Sequence, residues 1–164
     1  MTEKERLQFC IARFDHYYDS VNNKSAVFLA LGTFIVGGIL ASYSSLHDIA
    51  NCGFWTDLII FLIVALGIGN LILIIVAAIP YLSRDKDSLI YFASIHNKGE
   101  DQFSAESAAC SNEEAHLPDL RKQASALATG LYKKFQVLRI AGFLFLVKFI
   151  LSMILLLTIA LNIK

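Results

Sequence analysis

Leu58–Leu82 reads LIIFLIVALGIGNLILIIVAAIPYL, an apolar run with no Asp, Glu, Lys or Arg. A helix rises 1.5 Å per residue, so about 20 residues cover the roughly 30 Å of hydrocarbon in a bilayer. The run is long enough, and two others match it: Ala26–Leu46 and Ile140–Ile163. No water is present in the bilayer core to satisfy backbone groups, so each run must pair its own amides as a helix. Barrel strands are shorter and alternate in polarity, which these runs do not. The expected fold class is all-α, an integral membrane protein with three transmembrane helices and cytoplasmic helical extensions.

Composition supports this. The 164 residues are 56% hydrophobic, and mean hydropathy is +0.59, well above a domain that must cover itself with polar surface. The 14 basic and 14 acidic residues cancel, so no polycationic field points to nucleic acid as a partner. Cys10, Cys52 and Cys110 are far apart, without the spacing of a zinc site or a disulfide framework, and read as free thiols. The first 24 residues hold Lys4, Arg6, Arg13 and Lys24 and no short apolar core before a cleavage site. The first span is therefore expected to direct insertion.

Sidedness follows from the basic residues. Twelve of the 14 lie before Ala26 or between Ser83 and Arg139, whereas His47–Asp57 has none and carries Asp48 and Asp57. Excess Lys and Arg mark the cytoplasmic side, so the N-terminus and the long second loop are expected there. The spans are then 25–46, 58–82 and 139–163, with cytoplasmic segments at 1–24 and 83–138, all in a single membrane domain. Tyr43, Phe54 and Trp55 suit the outer interfacial belt, and Tyr81 and Tyr132 the inner one.

Both cytoplasmic segments that precede a span are amphipathic. Leu7, Ile11, Phe14, Tyr18 and Val21 share a stripe, and nothing before Ala26 breaks the helix, which should run into the first span. Leu117, Leu120, Ala124, Leu127, Leu131, Phe135 and Leu138 form a second stripe, with Pro118 and Asp119 suited to its first turn. The stripes are expected to pair with each other or with neighbouring copies. Lying flat on the membrane is the competing arrangement for the first. Asp85–Asn97 is expected to form a short helix and polar Lys98–His116 a mobile loop.

Catalytic patterns are missing. His16, His47, His96 and His116 are scattered, and no nucleophile-elbow, metalloprotease or phosphate-loop motif occurs, so an enzyme is not expected. Two polar residues at depth stand out. Lys148 sits about a third of the way into the third span, where a charge costs on the order of 2.5–3.5 kcal/mol on insertion scales. It either snorkels to the headgroups or meets a polar partner such as Asn70, or a wet seam between protomers, and biases opening. Asn70, just after Gly67 and Gly69, suits hydrogen bonding between helices, and the glycines let backbones approach. Gly37 with Ala41, and Gly38 with Ser42, have the small-xxx-small spacing of a close crossing, within one chain or between copies. Pro80 should kink or end the second span.

Basic side chains in the cytoplasmic segments offer contacts to a phosphate, or serve only as positive-inside residues near anionic lipid. The candidates for ligand binding are Lys24, Arg84, Lys86, Arg121, Lys133 and Lys134. Asn70 and Lys148 are the candidates for a gating role, and no metal or resident cofactor is expected.

Three stretches taken together resemble a known family: DHYYDSVNNKSAVFLALGTFIVGG from Asp15, AIPYLSRDKDSLIYFASI from Ala78, and LYKKFQVLRIAGFL from Leu131. They are similar to the membrane-embedded effectors of the Pycsar anti-phage defence system. The shared marks are the Asn23-Lys24-Ser25-Ala26 step into the first span, Pro80 and a basic residue before Tyr91-Phe92, and Lys134-Phe135 before the last span. The resemblance implies an effector held quiet in a bacterial inner membrane until a partner nucleotide cyclase makes a cyclic nucleotide, expected to be a pyrimidine cyclic monophosphate. It further implies a homo-oligomer that disrupts the membrane. The alternative from another class is a non-catalytic membrane scaffold or subunit that docks a soluble partner.

Overall fold

The computed structural model describes residues 1–45, 54–80, 87–110 and 116–162. Four helices carry the fold: α1 Glu3–Ala41, α2 Phe54–Ala78, α3 Phe92–Ala109 and α4 Leu117–Asn162. Helices α1, α2 and α4 are long and apolar enough to cross a membrane.

Helix α1 starts in a capping box. The Thr2 hydroxyl accepts the Glu5 amide (3.2 Å) and the Glu5 carboxylate accepts the Thr2 amide (2.7 Å), with Glu3 and Glu5 favouring the positive end of the helix. It then continues for 39 residues, as the unbroken pattern predicts. At 1.5 Å per residue that is about 58 Å, nearly twice the hydrocarbon thickness. Helix α4 is likewise continuous over 46 residues, with Pro118 in its first turn, where the missing amide hydrogen is no loss. Helix α2 stops at Ala78, two residues before Pro80, since the residue preceding a proline is driven out of the helical region.

The chain forms two compact units, Met1–Ser20 with Pro80–Lys133, and Val21–Ile79 with Lys134–Lys164. In the first, the Arg121 guanidinium donates two bonds to the Glu3 carboxylate (2.7 and 2.8 Å), and the Tyr18 hydroxyl donates to the Leu127 carbonyl (3.0 Å). The two amphipathic extensions thus pair with each other within one chain. The Ser88 hydroxyl turns the chain into α3 by accepting the Ile90 and Tyr91 amides, and the Asp119 carboxylate accepts the Leu89 amide (2.8 Å).

Helix α3 corrects the expectation of a short helix ending at Asn97 and a loop from Lys98. It begins at Phe92 and reaches Ala109, with one non-helical residue, Gly99 (φ 75°), where the helix is kinked. Positive φ is strained for other residues and open to glycine. After the kink, Glu100, Gln102, Ala105, Glu106, Ala108 and Ala109 are mostly strong helix formers, so their polarity marks a solvated helix, not a loop. Lys98 bridges the kink by donating to the Glu106 carboxylate, and it also donates to the Asp87 carbonyl ahead of the helix (3.0 Å). The expected helix residues Asp85 and Lys86, and loop residues 111–115, lie outside the described residues.

The second unit packs on sevenfold spacing. Buried positions are Val21, Ser25, Gly32 and Val36 on α1, and Thr56, Ile60, Ile63, Gly67, Asn70, Ile74 and Ala77 on α2. On α4 they are Lys134, Leu138, Ala141, Lys148, Leu155 and Ile159. Steps of three, four and seven keep each stripe facing its neighbours, as in left-handed bundles. The outward faces are apolar, with Phe34 80% and Leu157 62% exposed, a surface made for lipid.

Close approach within the chain occurs at Gly67, one of the two glycines expected to allow it beside Asn70, and not at Gly37 or Gly38. A Cβ on Gly67 would lie 2.3 Å from Val36 Cγ2, so α1 meets α2 there, whereas Gly37, Gly38 and Gly69 have nothing within 4 Å of theirs. Spacing locates small residues on a helix. Its rotation about its own axis decides which of them meet a neighbour.

Candidate functional site

In the first unit Lys4, Gln8 and Ile11 lie at i, i+4 and i+7 on α1 and so share a face. With Ile90, His116 and Leu120 they line a cavity of about 400 Å³. Ile11, Ile90 and Leu120 supply apolar walls, while Lys4, Gln8 and His116 supply a cation, an amide and an imidazole. The cavity thus sets apolar contact beside three polar side chains, the general make-up of a small-molecule site. Cys110 Sγ lies 3.9 Å from His116 Nδ1. Cys10 and Cys110 are free thiols, and Cys52 lies outside the described residues. Among the described residues no cluster of three His, Cys, Asp or Glu residues is placed to hold a metal.

Charge in this unit is locally matched. Hydrogen bonds from Arg121 hold the Glu3 carboxyl below the usual carboxylate range, and the same contact raises the guanidinium. Lys98, then Gln102, do the same for Glu106. Arg121 therefore already has a carboxylate partner.

The other expected ligand residues do not gather. Arg121 and Lys133 belong to the first unit, Lys24 and Lys134 to the second, and Arg84 and Lys86 lie outside the described residues. Lys24 Nζ stands 6.0 Å from the centroid of the Phe135 ring, and Lys133 is solvent-exposed. Lys134 is 7% exposed and donates to the Ala77 (2.8 Å) and Ala78 (3.4 Å) carbonyls. It caps the negative end of α2, where the last carbonyls lack helical partners. The cavity residues Lys4, Gln8 and His116 were not among the expected ligands, although the shared face of Lys4, Gln8 and Ile11 could have suggested part of the set.

Lys148 does not snorkel. It is fully buried, and its ammonium has no hydrogen-bond partner. Gly32 and Gly67 leave a slot on either side: a Cβ added to them would lie 3.4 Å from Lys148 Nζ and 3.6 Å from Lys148 Cδ, respectively. The Phe145 ring, stacked on Phe28, offers a π face 4.8 Å from Nζ. Asn70 does bridge helices, but its amide donates to the Ala141 carbonyl (3.1 Å) and not to Lys148, and its Oδ1 has no partner.

A polar helical unit and a second unit with apolar outer faces, linked by two helices that run through both, define a helical membrane protein. Residues 6–161 match the Pycsar effector protein domain, and the chain belongs to that family of anti-phage defence effectors, as the three quoted stretches had suggested. No curated protein and no solved structure matches it.

Proposed function

We propose that the chain is a non-catalytic, ligand-gated effector of the bacterial inner membrane. Its N-terminus and first unit face the cytoplasm, and it crosses the membrane three times. A cyclic nucleotide made by a partner cyclase occupies the cavity of the first unit, with Lys4 and His116 towards the phosphate and the apolar walls against the base. The chains then associate and the membrane leaks. The observation that carries this reading is the continuity of α1 and α4, each of which supplies residues to both units. Repacking of these helices around a ligand acts on the same rigid elements that form two of the spans.

For the ligand to drive the change it must bind the leaky arrangement more tightly than the quiet one. Full-length protein in dye-loaded liposomes tests the proposal. Leakage is expected on adding cyclic CMP or cyclic UMP, and Lys4→Ala should shift the response to higher nucleotide concentration. No leakage with any cyclic mono- or dinucleotide overturns it.

A further inference from the structure

Ser25 and Thr56 aside, the buried polar side chains of the second unit, Lys134, Asn70 and Lys148, fall along one seam. From the Ala77 end it holds Lys134 on the Ala77 carbonyl, Asn70 on the Ala141 carbonyl, and Lys148 between Gly32 and Gly67. Lys134, Ala141, Lys148 and Leu155 are seven residues apart and so share one stripe of α4. Beyond Lys148 the seam is closed by an apolar cluster of Ile60, Ile63, Leu155 and Ile159.

Lys148 Nζ and Asn70 Oδ1 are both buried without a hydrogen-bond partner. Buried polar atoms almost always have one, and a desolvated ammonium without an acceptor is strongly unfavourable. Water or an anion entering the seam would supply what both atoms lack. Charge there is one-sided. Among the described residues of the three spans the sole carboxylate is Asp57, in the first turn of α2, beside the apolar closure. The cations Lys134 and Lys148 stand on the seam itself.

We propose that this seam is the route by which the membrane is breached, and that Lys148 makes the route selective for small anions, with the cluster around Ile63 as its hydrophobic closure. Fixed cations lining a narrow path favour anions, and apolar constrictions gate by excluding water. The inference rests on the reading that the chain permeabilises membranes.

Full-length protein in planar bilayers under a potassium chloride gradient provides the test. Currents are recorded from wild type with cyclic CMP or cyclic UMP, and from Ile63→Asn without nucleotide, since an amide in the closure should open it. Chloride permeability is expected to exceed that of potassium several-fold. Lys148→Gln should bring the ratio close to one, and Lys148→Arg should retain the preference. Current without anion preference, or a preference unchanged in Lys148→Gln, overturns the assignment of the seam while leaving permeabilisation intact. Absence of current from both wild type and Ile63→Asn overturns the two readings together. If Lys148→Gln fails to fold, a wild-type current without anion preference still overturns the assignment, and Lys148→Met tests the loss of charge in its place.

Discussion

The two units treat their cations in opposite ways. In the first, Arg121 and Lys98 each meet a carboxylate, Glu3 or Glu106. In the second, Lys134 has backbone carbonyls of α2, and Lys148 has no hydrogen-bond acceptor. The exposed Arg121–Glu3 pair contributes little, because water solvates both members well when they part, whereas the Lys98 side chain is largely covered but has its carboxylate at hand. A buried cation has no such fallback, so the second unit holds its charges at a cost that any opening would relieve. The first unit is built to be adjustable and the second to be poised.

Lys148 gives the sharpest way to break this contrast. Methionine is of similar length, uncharged and flexible, so Lys148→Met should stabilise the bundle by about 2–3 kcal/mol, the scale on which a charge in a span is penalised. Thermal unfolding in detergent would read this as a higher midpoint, and a lower one would mean that the ammonium has a favourable partner. Next comes Gly67→Ala. Its Cβ would fall 2.3 Å from Val36 Cγ2, and overpacking of this kind costs about 1–3 kcal/mol. Val36→Ala in the same chain should restore most of the loss. If it does not, the α1–α2 approach is placed elsewhere.

Removal of the α2 cap should have a somewhat smaller effect. Lys134→Met leaves the Ala77 carbonyl without its donor, at about 1–2 kcal/mol for a charge-assisted bond. Hydrogen exchange should rise in the last turn of α2 while α3 is unaffected. The smallest effect is expected at the Glu3–Arg121 pair. The folded carboxyl of Glu3 titrates below its unfolded value, so its contribution is present above the unfolded pKa and is lost as pH falls through the folded one. Exchange at the start of α1 should quicken below about pH 4, the unperturbed carboxylate range, and Glu3→Gln should remove that pH step. High salt should weaken the pair as well, in keeping with its exposure.

Several features were legible without coordinates. The three span-length helices, the unbroken passage from amphipathic segment to span in α1 and α4, and the stop before Pro80 all follow from patterns local to the chain. Family membership was legible too, because its marks are short motifs in fixed order. The helical stretch from Glu100 to Ala109 does not stand out by apolar periodicity, because it is a solvated helix held by the propensity of Ala, Glu and Gln. The cavity around Lys4 and His116 joins residues far apart in the chain, and only part of its lining shows as a helical face.

What the sequence determined by itself is therefore that three helices are long enough to span and that two of them extend beyond the span, since backbone hydrogen bonding and apolar periodicity act over one or two turns. The tertiary structure alone decided which side chains meet. Rotation of α1 and α2 about their axes brought Gly32 and Gly67, and not Gly37, Gly38 or Gly69, to the contact. That choice left a slot for Lys148, so a residue that in an isolated span would reach for the headgroups is held in the interior.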